Sequence, residues 1–156
     1  MEKITPCFWF DHQAEEAANF YVSMFPSSRI VDVARSSDAF PDRAGEVLTV
    51  VFELDGRRFT ALNGGPQFSF TEAVSFQIDC ADQAEVDYFW EALTAGGEES
   101  QCGWLKDRYG VSWQVVPAEM AQLLGDPDPA RASRATEAML RMKKIDIAEI
   151  RRAADA

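Results

Sequence analysis

Apolar residues recur along the chain in two rhythms, a period of two over short stretches and a period near 3.6 over longer ones. Residues 4–10 alternate, with Cys7 and Trp9 on one face of an expected strand and Phe8 and Phe10 on the other. Asp11 is expected to cap a helix whose stripe is Ala14, Ala17, Ala18, Tyr21 and Phe25, ended by Pro26-Ser27-Ser28. A strand over 29–35 follows, then a polar loop over 36–45 containing Pro41. Strands over 46–54 and 57–62 flank Asp55-Gly56, a hairpin-turn pair, and Asn63-Gly64-Gly65-Pro66 stops the second.

After a connector over 68–73, residues 74–79 alternate again, with Val74, Phe76 and Ile78 inward and Ser75, Gln77 and Asp79 on the opposite face. Asp82 followed by Glu85 fits a capping-box start for a helix with the stripe Val86, Phe89, Trp90 and Leu93, stopped by Gly96-Gly97. The segment QCGWLKDRYGVSWQVVP then reads as a strand ending near Lys106, a tight turn over 107–110 and a strand over 111–116. Val111, Trp113 and Val115 share one face of that last strand, and Ser112, Gln114 and Val116 share the other. A buried amide left unpaired costs about 1–3 kcal/mol, so Gln114 is expected to meet a partner or to line a wet pocket. Asp107 and Arg108 read as a solvated pair in the turn, and Lys143-Lys144 as helix surface. The remainder reads as a short helix or turn over 117–124, a Gly-Asp-Pro-Asp-Pro break, and helices over 130–142 and 145–154.

The two halves rhyme. Strand, Asp, helix and three strands occur twice, and Gln13-Ala14-Glu15 recurs as Gln83-Ala84-Glu85. The pattern therefore predicts an α+β fold of two βαβββ modules, about 1–66 and 67–117, followed by a helical tail over 118–156 within a single domain.

Charge and cysteine usage narrow the function classes. The net charge of −11 argues against a broad nucleic-acid-binding surface. Residues 131–156 carry seven Lys or Arg against four Asp or Glu, so this basic tail is expected to lie against an acidic body, its own or a partner's, or to form a solvated basic helix. No window approaches a membrane span, and MEKITP lacks the regions of a signal peptide, so a cytoplasmic protein without membrane attachment is expected. Cys7, Cys80 and Cys102 are an odd number with no CxxC, which argues against a disulfide framework.

The double βαβββ order, with CFWFDHQAEEAANFYVSMFP, SFQIDCADQAEVDYFW, QCGWLKDRYGVSWQVVP and the tail DPDPARASRATEAMLRMKKIDIAEI, resembles the PhnB-like branch of the glyoxalase/bleomycin-resistance (vicinal oxygen chelate) superfamily. That branch is often labelled 3-demethylubiquinone-9 3-methyltransferase-like. The resemblance covers nearly the whole chain and implies a curved cleft formed by the mixed sheets, usually in a homodimer. It also implies, for the superfamily's enzymes, a divalent metal held by His, His or Gln, and Glu on the inner strands.

This chain departs from that ligand pattern. DRYGVSWQVV places Gln114 where the resemblance puts a ligand Glu, and the first strand of each module has no His. His12, the single histidine, reads as a solvated residue at a helix start. No metal and no cofactor are therefore expected. A methyltransferase's nucleotide loop would lead from a Gly-rich turn into a helix, and Asn63-Gly64-Gly65-Pro66 does not. Cys102 is the thiol to consider as a nucleophile, although it lacks a second His as base.

Strand alternation and analogy with the superfamily place Trp9, Thr60, Asn63, Gln77, Trp104, Ser112 and Gln114 on a ligand-binding lining, against the alternative that the aromatics fill the core and the amides bond to backbone. Three functions stay open at this point: binding of an unknown small molecule in a metal-free cleft, a metal- or thiol-dependent enzyme on the same scaffold, and an interaction protein that docks through its tail.

Overall fold

The computed structural model describes residues 2–156, and the chain divides into two compact units between Phe70 and Thr71. The first contains β1 (Cys7–Phe10), α1 (Ala14–Met24), β2 (Arg29–Arg35), β3 (Val47–Leu54) and β4 (Arg57–Asn63). Its mixed sheet has the order β1-β4-β3-β2, with β1 parallel to β4 and the other pairs antiparallel. β1 starts at Cys7 rather than at residue 4, because Pro6 has no N–H for the ladder and only its carbonyl is used, by Thr60 N at 2.9 Å. Ala14, Ala17 and Ala18 are fully buried, and their small side chains let α1 settle closely on one face of the sheet. The rings of Phe8, Tyr21, Phe52 and Phe59 fill the space between, with Tyr21 stacked on Phe52 at 6.2 Å and Phe52 on Phe59 at 5.5 Å. The Asp55-Gly56 turn has φ of 49° and 79°, the doubly left-handed geometry of a tight hairpin.

The second unit contains β5 (Ser75–Cys80), α2 (Gln83–Thr94), β6 (Glu98–Glu99), β7 (Trp104–Lys106), β8 (Ser112–Pro117), α3 (Met120–Leu124), α4 (Pro129–Leu140) and α5 (Ile147–Asp155). Its sheet order β5-β8-β7-β6, with β5 parallel to β8, repeats that of the first unit element for element, as a duplicated βαβββ module should. The short β6 is too brief to leave a periodic signal in the sequence. Val74, expected inward, precedes the strand and is exposed. The predicted stripe of α2 is buried in full against Ile78, Leu105, Trp113 and Val115 on one face of the sheet.

The α2 start follows the capping-box expectation: Asp82 accepts from Glu85 N at 2.9 Å, and the Glu85 carboxylate accepts from Ala81 N at 2.7 Å. The tail folds onto its own unit. Met142, Ile145, Ile147 and Ile150 form a second apolar cluster with Met120 and the alanines of α4 and α5. It is keyed to the module by Gln83, whose amide donates to Ile145 O and accepts from Ile147 N, each at 2.9 Å. Lys144 pairs with Asp87 at 2.8 Å and Arg151 with Glu119, so basic tail residues meet acidic residues of the same unit. Lys143-Lys144 lies in the turn between α4 and α5 rather than on a helix.

Two local expectations are corrected. Asp11 does not cap α1. The free Ala14 N–H is met by Asn63 Oδ1 at 2.8 Å, across 49 positions of sequence, while Asn63 Nδ2 donates to Val47 O at 3.0 Å. Asp107 is not half of a solvated pair. It is 3% exposed, Oδ1 accepts from Tyr109 N at 2.8 Å and Val111 N at 3.1 Å, and Oδ2 accepts from Trp113 Nε1 at 2.9 Å. A carboxylate with three donors can be buried at acceptable cost, and here it shapes the β7–β8 turn around Gly110 (φ 87°). Arg108 turns outward and donates to Ala95 O.

Candidate functional site

Each sheet has one face covered by its own helix; the opposite face of the second sheet meets the tail cluster at Val116, at the end of β8, and is open beyond it. The open face of the second sheet is set by register. Gln77 pairs with Gln114, which pairs with Trp104; Ser75 pairs with Ser112, which pairs with Lys106. Four of the seven expected lining residues, Gln77, Trp104, Ser112 and Gln114, therefore lie on adjacent strands of one face. The Gln114 amide meets a partner as expected, donating to Ser75 Oγ at 2.9 Å, and Gln77 donates to Asp79 at 2.8 Å. The Trp104 indole N–H has no hydrogen-bond partner among the described residues. Ser112 is 1% exposed, and its hydroxyl is likewise unpartnered.

A hollow of about 290 Å³ opens here, with Glu72, Glu98, Trp104, Lys106 and Ser112 in its walls. Lys106 and Glu72 form an ion pair that holds the carboxyl below its ordinary pKa and the ammonium above its own, through their hydrogen bond and mutual charge. Strand alternation could have found Lys106 on this face. Glu72, which reaches it from the connector before β5, left no such signal.

The three lining residues expected in the first unit behave differently. Trp9 and Thr60 lie on its open face, but Trp9 is tied down: its Nε1 donates to Gly65 O at 2.9 Å and its ring lies on Gly64, where a Cβ would come within 2.3 Å of the indole. Phe68 packs edge-on against that indole at 4.8 Å. Asn63 has the opposite parity to Thr60 and faces α1 as its remote cap. It borders a second hollow, of about 370 Å³, with Asp11, His12, Glu15 and Arg43. Its polar groups are engaged with each other, Arg43 donating to Asn63 O and His12 lying 3.5 Å from Asp11. The Gly64 and Gly65 N–H groups donate to Phe10 O and Asp11 O, so this turn has no free amides for a phosphate.

The thiols separate by burial. Cys80 is pushed up to about 12 by burial and by the nearby Glu85, Asp79 and Asp82 charges. Burial also raises the more exposed Cys7. Cys102 sits in the loop before β7 at φ 58°, with its N–H held by Met142 O, and its thiol has no hydrogen-bond partner among the described residues. A nucleophilic thiol needs an activating base, which those contacts do not supply.

The divalent metal implied by the fold does not fit these donors. Gln114 stands where a ligand carboxylate would be needed, and among the described residues no three of His, Cys, Asp or Glu converge. No helix of the described residues is long and apolar enough to cross a membrane.

Paired βαβββ modules with mixed four-stranded sheets define the vicinal oxygen chelate fold. Solved structures agree: protein PA1353 from Pseudomonas aeruginosa (18% identity, 75% of this chain and 98% of that one, TM-score 0.59) shares it. So does the fosfomycin resistance protein FosX from Listeria monocytogenes (15% identity, 74% of this chain and 90% of that one, TM-score 0.51). A PhnB protein from Bacillus cereus is 35% identical over 75% of this chain and 100% of that one, with a TM-score of 0.69. The sequence profile of the family described as 3-demethylubiquinone-9 3-methyltransferase matches residues 2–116, and the chain belongs to that family, the PhnB-like branch. No curated protein matches it.

Proposed function

We propose that this PhnB-like protein binds a small molecule on the open face of its second sheet, around Trp104, Ser112, Gln114 and Gln77, without a protein-held divalent metal. The observation that carries the reading is Ser112. A hydroxyl 1% exposed and without a partner costs about 1–3 kcal/mol, and this one borders a hollow whose aromatic wall also keeps a free N–H. Methyl transfer, which the family's description names, is not part of the proposal, because Asn63-Gly64-Gly65-Pro66 leads on to β5 and not into a helix. The resemblance further supports a homodimer.

The test is a metabolite library screened by thermal shift on the wild type, Trp104→Ala and Gln114→Leu, with the metal content of chelator-free protein measured in parallel. Hits on the wild type that both variants lose are the expected result. Hits that survive both changes move the site elsewhere, and one tightly held metal per chain overturns the metal-free reading.

A further inference from the structure

One row of side chains on the open faces differs in charge between the two units, and the difference points to a ligand class. The modules correspond through their registers: Cys7–Thr60 matches Gln77–Gln114, so Glu53–Arg58 matches Lys106–Ser112 and Arg29–Glu53 matches Glu98–Lys106. In the first unit the row is Arg29–Glu53–Arg58, one carboxylate between two guanidiniums at 3.3 and 3.7 Å. In the second the signs invert to Glu98, Lys106 and the neutral Ser112.

Lys106 finds its counter-ion in Glu72, before β5. Because β8 lies between β5 and β7, that ion pair spans β8 and lines the hollow together with Ser112. Glu72 and Lys106 are themselves 61% and 37% exposed, so the pair is a surface contact that opens readily. With Lys106 neutralised by Glu72, the hollow keeps an excess of negative charge. Glu98, whose charge also acts on Lys106, makes no ion pair of its own among the described residues, and Glu99 stands at the edge, accepting from Trp90 Nε1 at 3.0 Å. Carboxylates beside an indole face suit a cation with apolar substituents.

Resting on the binding site proposed above, we infer that the second unit takes a compact organic cation, the ammonium group of an amine or quaternary amine. Glu98 and the Trp104 ring hold the cation, and the Ser112 hydroxyl meets a polar group of the ligand when the Glu72–Lys106 pair swings aside.

The probes are choline, its neutral isostere 3,3-dimethyl-1-butanol, and the anion 3,3-dimethylbutanoate. Binding is read from the indole N–H signals of the four tryptophans, with Trp104 assigned by its loss in Trp104→Phe. Choline is expected to shift the Trp104 signal saturably, the alcohol more weakly and the anion not at all. Glu98→Gln weakens choline roughly two- to fivefold, as for loss of one exposed charge pair, while the Trp90 and Trp113 signals stay in place as a check on folding. Ser112→Ala also weakens choline but leaves the melting temperature unchanged or raised, which loss of a structural hydrogen bond would not do. An equal response to the alcohol, or a preference for the anion, overturns the cation class and leaves a ligand site at Trp104. Silence of Trp104 toward all three probes overturns the inference, and the library screen then decides separately whether the face binds anything.

Discussion

The two units share one plan and use their polar groups differently. In the first, groups that a sequence reading assigns to ligand binding hold the fold together. Asn63 caps α1 and ties it to β3, and Trp9 bonds to Gly65 and covers Gly64. In the second, the structural polar work is concentrated in Asp107 and the Gln83 bridge, on the side away from the open face. Ser112 is left with an unengaged hydroxyl, and the Trp104 indole beside it lines the same hollow. Each unit keeps one buried hydroxyl without a partner, Ser36 and Ser112, but only Ser112 borders a hollow beside an indole, so function is sought in the second copy.

The strongest way to break this comparison is Asp107→Ala. It leaves three donors unmet, one of them the buried Trp113 indole, and should cost about 3–5 kcal/mol in urea denaturation. Asn63→Ala should cost less, about 1–2 kcal/mol, because it removes one helix cap and one backbone bond at a half-buried position. A cost for Asn63→Ala equal to that of Asp107→Ala would mean that the two units distribute their polar work alike.

The smallest effect concerns the tail. Asp87 is held below its ordinary 3.8 by hydrogen bonds from Lys144 and then Gln83. A depressed carboxyl contributes stability that is present above its unfolded pKa and is lost as pH falls through the folded one. Asp87→Asn should therefore be less stable by a few tenths of a kcal/mol at pH 7, a difference that closes below about pH 4. A gap that persists at low pH would assign the loss to packing instead of charge.

How far the sequence was legible depended on the range of the interaction. Strand alternation placed Phe8 and Phe10 against Cys7 and Trp9, and put Gln77 and Gln114 on one face, because side-chain direction is a local property of the backbone. The α2 stripe and the Asp82 cap were legible for the same reason. The capping role of Asn63 was not legible, because its partner, Ala14 N, lies 49 residues away. Asp107 looked solvated because charged turn residues usually are, and nothing in DRYGVSW announces that an indole six positions on will close over it.

By itself, the sequence determined the duplicated βαβββ order, the α+β class, the family, and the absence of the superfamily's ligand pattern at Gln114. The order and class follow from periodicity and spacing, and the family and its ligand pattern from the resemblance of the motifs. Only the tertiary structure decided which polar groups are engaged and which are free. It tied Asn63 and Trp9 into the fold, sank Asp107, carried Glu72 across β8 to Lys106 and left Ser112 without a partner. The physical reason is that hydrogen-bond satisfaction is settled between strands and helices far apart in the chain, where a side chain's type says what it can bond and only the packing says what it meets.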